Sequence, residues 1–116
     1  MIKTKRIYET AQKNDGYRVL VDRLWPRGMT KDKAKIDLWL KDIAPSGALR
    51  KWFSHDLKKC EGFKKKYIEE LNDKKDLCAR ILAQAKGATV TLLYGAKEEE
   101  CNNAVVLKEY LERISE

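Results

Sequence analysis

The hydrophobic positions of the chain fall into short apolar runs and longer stretches with helical spacing. Short runs of apolar, aromatic and β-branched residues predict strands, and the two at 17–22 and 88–94 are continuous enough to be buried on both faces. The run at 36–40 alternates apolar and polar residues, which favours a strand over a helix. The predicted strands span residues 2–8, 17–22, 36–40 and 88–94.

Helical spacing of apolar residues predicts the remaining elements. Pro45 and Ser46 indicate a helix entry with Ser46 as N-cap, and the polar stretch 30–35 predicts a short helical turn. Over 61–86 the helical spacing of the apolar residues is interrupted near Asn72 and Asp73. This stretch therefore divides into two helices if Asn72 or Asp73 is the N-cap of the second. Asn102 or Asn103 is the predicted N-cap of a last helix, whose apolar stripe extends to residue 114.

This order of elements predicts the fold class. The chain has 116 residues, of which 43% are hydrophobic, which suits one domain with one core. We expect a single small α/β domain, residues 1–116, with a mainly parallel sheet and helices packed on both faces. Ligands of such folds bind beyond the carboxyl ends of the strands. Asp22 and Arg23 follow one predicted strand and Lys97 follows another, so they share one edge if those strands are parallel neighbours.

One segment, residues 21–56, concentrates the residues suited to a binding site. It holds all three tryptophans, both prolines and the one histidine of the chain. We predict the functional site here. The candidate ligand-binding residues are Arg23, Trp25, Arg27, Lys41, Arg50, Trp52 and Tyr94, and the candidate catalytic residues are His55 and Asp22.

The arginines of this segment allow two interpretations. Guanidinium groups of Arg23 and Arg27 bind phosphate or carboxylate through paired hydrogen bonds, and Asp22 can orient one of them. The alternative is an internal ion pair with Asp22 that holds the loop against the sheet. Arg50 is a further candidate anion binder, Lys41 adds charge near the end of a predicted strand, and the Tyr94 hydroxyl lines the pocket or the ring packs in the core.

The aromatic residues and the histidine also have two interpretations each. The tryptophans, among them Trp25 and Trp52, either stack a flat ring or fill the core and its edges. His55 is a general acid or base oriented by Asp56, or it caps the short helix before it, where the helix dipole favours a cation. Ser46 has no nucleophile-elbow glycines around it, so we expect a cap there.

The formal net charge of +7 favours anionic partners, although lysine-rich solvated helix faces also produce it. Nucleic acid is a possible partner, but no nucleic-acid-binding motif supports it. We expect no metal site, because there is one histidine and no paired cysteine motif. We expect no membrane segment and no signal peptide, so a cytoplasmic location follows by elimination.

The three cysteines, Cys60, Cys78 and Cys101, are odd in number and lack CxxC spacing. This pattern supports neither a disulfide framework nor a zinc site. Cys78 lies on an apolar helical face and is expected in the core. Cys101 is a weak candidate for a free nucleophilic thiol.

Six motifs in order make the chain recognisable: VDRLWPRG, WLKDIAPS, LRKWFSHD, FKKKYIEEL, TLLYGAK and NNAVVLKEYL. With these motifs the chain resembles domain-of-unknown-function family 488, in its small YeaO-like branch, over nearly its whole length. The resemblance implies a small α/β protein and no defined reaction. The chain departs from the family pattern at Ser54, where glycine is expected, and at Cys60, where tryptophan is common. Some relatives have carried a porphyrin methyltransferase label. We do not expect that activity here, because the chain lacks the glycine-rich loop that many nucleotide-like cofactors require and is short for a two-lobed methyltransferase. We therefore predict no cofactor.

These observations lead to one main prediction and two alternatives. The main prediction is a pocket lined by arginine and tryptophan that binds an anionic, phosphate- or nucleotide-like small ligand. The alternatives are a basic protein associated with nucleic acid and a non-catalytic protein-binding module in which the tryptophans are scaffold. The sequence leaves open whether the protein is an enzyme and what its oligomeric state is.

Overall fold

The computed structural model describes residues 1–115, which form a four-stranded, all-parallel sheet with helices on both faces. The strand order is β1-β4-β2-β3, so the two strands with the most apolar sequences occupy the centre. Central parallel strands are covered on both faces, which explains their apolar composition. The strands are β1 (Ile2–Arg6), β2 (Tyr17–Leu20), β3 (Leu38–Trp39) and β4 (Val90–Tyr94).

The predicted fold class is confirmed, and each predicted strand is present in a shorter form. Strands β2 and β4 are parallel neighbours with Val19 opposite Leu92, so their carboxyl ends do open at one edge. The backbone pairing continues one residue beyond β2, where the Val21 N–H donates to the Leu93 carbonyl at 3.1 Å. Asp22 and Arg23 therefore emerge at this edge.

Five α-helices connect and cover the strands. Their N-caps follow local sequence: Thr30 caps α1, Ser46 caps α2 and Asn102 caps α5, each through a side-chain oxygen that accepts a backbone N–H. The helices are α1 (Lys31–Ala34), α2 (Gly47–Phe53), α3 (Cys60–Asn72), α4 (Lys75–Ala85) and α5 (Asn103–Ile114).

The long helical stretch does divide, but the predicted cap is wrong. Lys74 occupies the N-cap position of α4 and provides no side-chain cap. The Asn72 side chain instead accepts a hydrogen bond from the Tyr110 hydroxyl at 2.8 Å, which ties the end of α3 to α5. The Asn72 side chain therefore bonds Tyr110 of a distant helix and does not cap α4.

The two faces of the sheet are covered unequally. Val19 and Val21 point into the larger core, which is closed by helices α2 to α5. Leu20 points to the opposite face and packs in a smaller cluster with Ile7, Ala34 and Leu93. Helix α1 is short, so indole rings complete the cover there: Trp25 and Trp39 pack edge to face with ring centroids 5.5 Å apart. These two tryptophans are structural in part, as one of the two interpretations held.

At the amino edge of the sheet lies a buried ion cluster that the sequence analysis missed. The Asp15 carboxylate pairs with Arg18 at 2.6 Å and with Lys5 at 3.1 Å, and Asp15 and Arg18 are each 4% exposed. The pKa of Asp15 lies below its ordinary value. Burial by itself would raise this pKa, but hydrogen bonds from Gln12, Lys5 and Arg18 and the Lys5 charge together lower it by more.

The expectation of no disulfide is wrong. Cys60, at the start of α3, is bonded to Cys101 in the loop before α5, with Cα atoms 6.4 Å apart and a sequence separation of 41 positions. Cys101 is therefore not a free thiol in this structure. Cys78 is free and buried, as expected from its apolar helical face. Sequence spacing cannot reveal such a bond, because only the packing of α3 against α5 brings the two cysteines together.

Candidate functional site

A cavity of about 500 Å³ lies at the carboxyl edge of the sheet, between the loops that follow β2 and β4. Strands β2 and β4 are parallel neighbours, and the loops that follow them diverge at this edge, so an opening remains between the two loops. Helix α2 and the start of α3 close the other side. Among the predicted site residues, Asp22, Arg23, Trp25, Arg27, Arg50 and His55 line this one cavity.

The three arginines of the cavity come from two distant parts of the chain and have few protein partners. Within residues 1–115, none of them forms an ion pair with a carboxylate. Arg23 donates only a long hydrogen bond of 3.5 Å to the Ala44 carbonyl, which already accepts Lys74 Nζ at 2.9 Å. The Arg23 Nε is buried and has no hydrogen-bond partner in the described chain. The hypothesis of an internal Arg–Asp22 pair is therefore wrong in this structure.

Asp22 joins three segments at the cavity floor through neutral donors. Its carboxylate accepts the Gly95 N–H at 2.8 Å and Asn103 Nδ2 at 3.0 Å, and its carbonyl accepts Trp39 Nε1 at 2.8 Å. Burial raises the pKa of Asp22 above its ordinary value, and these hydrogen bonds and the Arg50 charge reduce that shift without cancelling it. No guanidinium in residues 1–115 is oriented by an Asp22 hydrogen bond.

His55 stands at the rim of the cavity in a strained backbone conformation. Ser54 ends helix α2 with a φ of 46°, and His55 follows with a φ of 58°, so two consecutive residues are left-handed. The His55 side chain is exposed, with its ring 6.3 Å from that of Phe53. The Asp56 carboxylate accepts the Lys58 N–H at 3.0 Å, so it caps the next turn instead of orienting the imidazole. Ser54 occupies the C-cap position that one interpretation gave to His55.

Apolar groups form much of the cavity wall. Trp25 is held in place by its indole N–H, which donates to the Met29 carbonyl at 2.7 Å. Phe53 and Phe63 line the cavity and stack on each other with centroids 4.3 Å apart. These rings give the cavity an apolar wall beside its arginines, a combination typical of small-molecule sites.

Three predicted site residues lie elsewhere. Lys41 is placed over the Trp39 ring at 5.0 Å and does not line the cavity. Tyr94 is buried in the main core, where burial raises its pKa. Trp52 lies outside the cavity on an exposed surface of α2, with Lys59 Nζ and Lys66 Nζ at 5.2 and 5.0 Å from its ring.

Other lining residues were missed as site residues. Asn102 and Asn103 were recognised only as helix caps, yet both line the cavity, because α5 begins at the same sheet edge. Tyr8 also lines it, and its hydroxyl donates to the Arg27 carbonyl at 2.8 Å. The position of Asn102–Asn103 after the second central strand was the available signal, whereas nothing in the sequence pointed to Tyr8.

The described residues hold no cluster of three or more histidine, cysteine, aspartate or glutamate side chains suited to a metal ion. In the same part of the chain, each helix is too short or too polar to traverse a lipid bilayer.

Comparison with known proteins decides the family. A family model described as "Inactive DUF488-N3 subclade" matches residues 1–116. The chain belongs to the DUF488 family. It is 42% identical over 113 residues to the uncharacterized protein YeaO of Escherichia coli (strain K12), which covers 97% of this chain and 98% of YeaO. It is 36% identical over 110 residues to the uncharacterized protein Rv3073c of Mycobacterium tuberculosis (strain ATCC 25618 / H37Rv), covering 95% and 92%. No solved structure matches the chain.

Within the DUF488 family, the structure explains both departures noted in the sequence. Ser54 has the left-handed backbone that glycine adopts at little cost, which accounts for the glycine expected there. Cys60 is the residue bonded to Cys101 at the cavity wall. Neither residue lines the cavity, but Ser54 lies between Phe53 and His55, which do, and Cys60 is bonded to Cys101, which does. The resemblance to the YeaO-like branch is confirmed.

Proposed function

We propose that the DUF488-type cavity of this protein binds an anionic small ligand, phosphate- or nucleotide-like, through Arg23, Arg27 and Arg50. The unpartnered Nε of Arg23 carries this proposal. A buried donor without an acceptor costs about 1–3 kcal/mol, and native proteins retain such groups mainly where a ligand, ion or water satisfies them. An anion seated beside Arg23 supplies the missing acceptor.

The charge balance of the cavity supports the same proposal. Its lining contains three guanidinium groups and a single carboxylate, that of Asp22. The cavity is thus positive before a ligand enters, and low-dielectric walls concentrate that field. Guanidinium groups also offer the paired donors that match phosphate and carboxylate oxygens.

The apolar wall indicates what else the ligand carries. Trp25, Phe53 and Phe63 offer ring faces and edges beside the arginines. A ligand with an anionic group and a flat or apolar body uses both kinds of surface, whereas inorganic phosphate uses only the arginines. We therefore expect a nucleoside monophosphate to bind more tightly than inorganic phosphate.

Binding without catalysis is the simpler form of the proposal. The matching family model is named an inactive subclade, and Asp22 is engaged by two neutral donors at the cavity floor. Proton transfer by His55 and Asp22 stays a prediction. This prediction is tested by finding a reaction of the bound ligand and measuring it in His55→Asn. A proton-transfer role for His55 predicts a slower reaction with unchanged ligand affinity.

Calorimetric titration of the protein with inorganic phosphate, pyrophosphate and adenosine monophosphate tests the proposal. We expect binding in which Arg23→Gln and Arg50→Gln each weaken affinity at least about tenfold, because a charge-assisted hydrogen bond contributes about 1.5–3 kcal/mol. Arg80→Gln is the matched control, since this exposed arginine of α4 lies outside the cavity. Absence of binding, or equal weakening by Arg80→Gln, contradicts the proposal.

One observation favours a nucleic-acid role as a second candidate. The exposed Trp52 ring lies on one surface with Lys59 and Lys66, an arrangement typical of stacking grooves. Glu69 and Asp73 line the same depression and oppose a polyanion there. DNA-binding measurements on the two variants test this candidate. Binding that falls steeply with salt, that Trp52→Ala abolishes and that Arg27→Ala leaves intact would favour a nucleic-acid role over ligand binding in the cavity.

A further inference from the structure

The Cys60–Cys101 disulfide connects the wall of the cavity to the helix behind it. Cys101 lines the cavity, whereas Cys60 is the first residue of α3 and does not. The loop 95–102 has other attachments at its start, where Arg6 Nε donates to the Ala96 carbonyl at 3.0 Å. Towards its end the hydrogen bonds are local, from Asn102 and Glu100 to Glu98. The disulfide is therefore the covalent link between the end of this loop and α3.

The two sulfur-bearing residues differ in their surroundings. Cys101 is 8% exposed and lines the cavity, directly after Glu98, Glu99 and Glu100, whereas Cys60 is partly exposed, between Lys59 and Glu61. An incoming thiolate reaches the more exposed residue more readily, which favours attack at Cys60. Cys101 is then the leaving sulfur, and it is released at the wall of the cavity.

We propose that Cys60–Cys101 is an exchange site for dithiol reductants, attacked at Cys60, and that its opening releases the Cys101 thiol into the cavity. One thiolate of the dithiol bonds to Cys60 Sγ, the Cys60–Cys101 bond breaks, and Cys101 leaves as a thiolate. The second thiol of the reductant then attacks its own sulfur in the mixed disulfide and frees Cys60. The dithiol is oxidised by two electrons to its disulfide, and its two protons end on the two cysteine thiols.

Opening the bond changes the cavity in two ways. It removes the covalent link that holds residue 101 against α3, and it leaves a nucleophilic thiol beside the arginines. Exposed disulfides are more readily reduced than buried structural ones, and Cys60 is the partly exposed member of this pair. Cys78 differs from both residues, because it is fully buried and burial raises its pKa to about 11.

Treating the folded protein with dithiothreitol, alkylating with iodoacetamide and mapping the modified peptides tests the proposal. We expect Cys60 and Cys101 to become alkylated only after reduction, at least about tenfold faster than Cys78, which serves as the internal control. With reduced glutathione as the monothiol, we expect the mixed disulfide at Cys60. Near-ultraviolet circular dichroism of the reduced protein should retain its native form.

Two results would overturn the proposal. One is a bond that resists dithiothreitol until denaturant is added, or whose opening exposes Cys78 at the same rate. The other is a glutathione adduct mainly at Cys101. The single variants Cys101→Ala and Cys60→Ala allow the two thiols to be measured one at a time. We expect Cys60 in Cys101→Ala to react faster with an aromatic disulfide than Cys101 in Cys60→Ala. Because these measurements follow thiol chemistry alone, they stand or fail independently of anion binding.

Discussion

The two ends of strand β2 use the same ionic groups in opposite ways. Asp15, just before the strand, is enclosed with Arg18 and Lys5 in a buried cluster. Asp22, just after it, accepts only neutral donors, and the nearby arginines have no carboxylate partners in residues 1–115. The pKa of Asp15 is lowered and that of Asp22 is raised.

The backbone differs less between the two ends than the charges do. At the amino end, the left-handed position next to Asp15 is Gly16, with a φ of 68°, and a Cβ there would overlap the Thr89 carbonyl. At the cavity end, Ser54 and His55 adopt left-handed conformations without being glycine. The amino end holds such a residue too: Lys35 has a φ of 45°, and its carbonyl accepts Arg18 Nε at 3.1 Å. The two ends therefore differ in their charges, because one end pairs them while the other retains the unpartnered Arg23 Nε. Buried donors without a partner are typical of sites completed by a ligand, which is why we propose the function at the carboxyl edge.

The largest expected effect is the loss of the buried cluster. Asp15→Ala leaves the Arg18 charge buried without its carboxylate, so we expect the free energy of unfolding to fall by about 3–5 kcal/mol. Urea denaturation followed by circular dichroism measures this. Asp32→Ala, at an exposed position of α1, should change it by less than about 0.5 kcal/mol. A loss below about 1 kcal/mol for Asp15→Ala would mean that the amino end is not a closed ion cluster.

The disulfide gives the next largest effect, at the cavity end. Replacing Cys60 and Cys101 by serine should lower the free energy of unfolding by about 2–4 kcal/mol, because the unfolded chain regains the freedom of the loop between them. The same denaturation experiment with and without reductant checks this. Reductant should destabilise the natural chain and leave the double variant unchanged. Equal stability of both chains without reductant would show that the bond contributes nothing.

Removing a cavity arginine should cost little. Arg23→Met deletes the unpartnered Nε, so we expect a change within about 1 kcal/mol and towards greater stability. Arg18→Met, at the other end, should lose about 3 kcal/mol or more by the argument applied to Asp15. Thermal and urea unfolding of both variants distinguish the ends. Similar losses in the two variants would remove the difference between a closed cluster and an open site.

Relieving the strained rim is a smaller effect. Ser54→Gly should stabilise the protein by about 0.5–1 kcal/mol, since the φ of 46° suits glycine better than serine. Ser46→Gly is the matched control: its φ is −58° and its hydroxyl caps α2, so it should destabilise. Differential scanning calorimetry of the two variants gives the signs. Destabilisation by Ser54→Gly would argue against strain at this position.

The smallest net effect concerns pH, because the two aspartates act in opposite directions about the ordinary pKa of 3.8. The stability that Asp15 contributes is present above pH 3.8 and is lost as the pH falls through its lower folded pKa. Asp22 favours the folded state below pH 3.8, and this contribution is lost as the pH rises through its higher folded pKa. Carbon-13 NMR titration of the carboxyl groups should place Asp15 below 3.8 and Asp22 above it. The reverse order would contradict the comparison.

Local sequence patterns predicted the elements that depend on neighbouring residues. Ser46 and Thr30 cap their helices because a hydroxyl needs only the N–H groups three residues on. The central strands followed from continuous apolar runs, and their parallel pairing brought Asp22 and Arg23 to one edge with Asn103. Patterns on the Val21–Asp56 segment were less specific, because tryptophan and lysine suit both a core and a site. Lys41 and Trp52 of this segment lie on the surface outside the cavity, and Tyr94, from the end of β4, lies in the core.

By itself, the sequence determined the α/β class, the family and the edge of the sheet at which charged and aromatic residues gather. Those properties depend on periodicity and on order along the chain, which are local. Tertiary structure alone decided that Asp15 and Arg18 neutralise each other while Arg23 keeps a free donor, and that Cys60 meets Cys101. Partner choice for an ionic group or a thiol depends on distances of a few ångströms between distant segments, and only packing sets those distances.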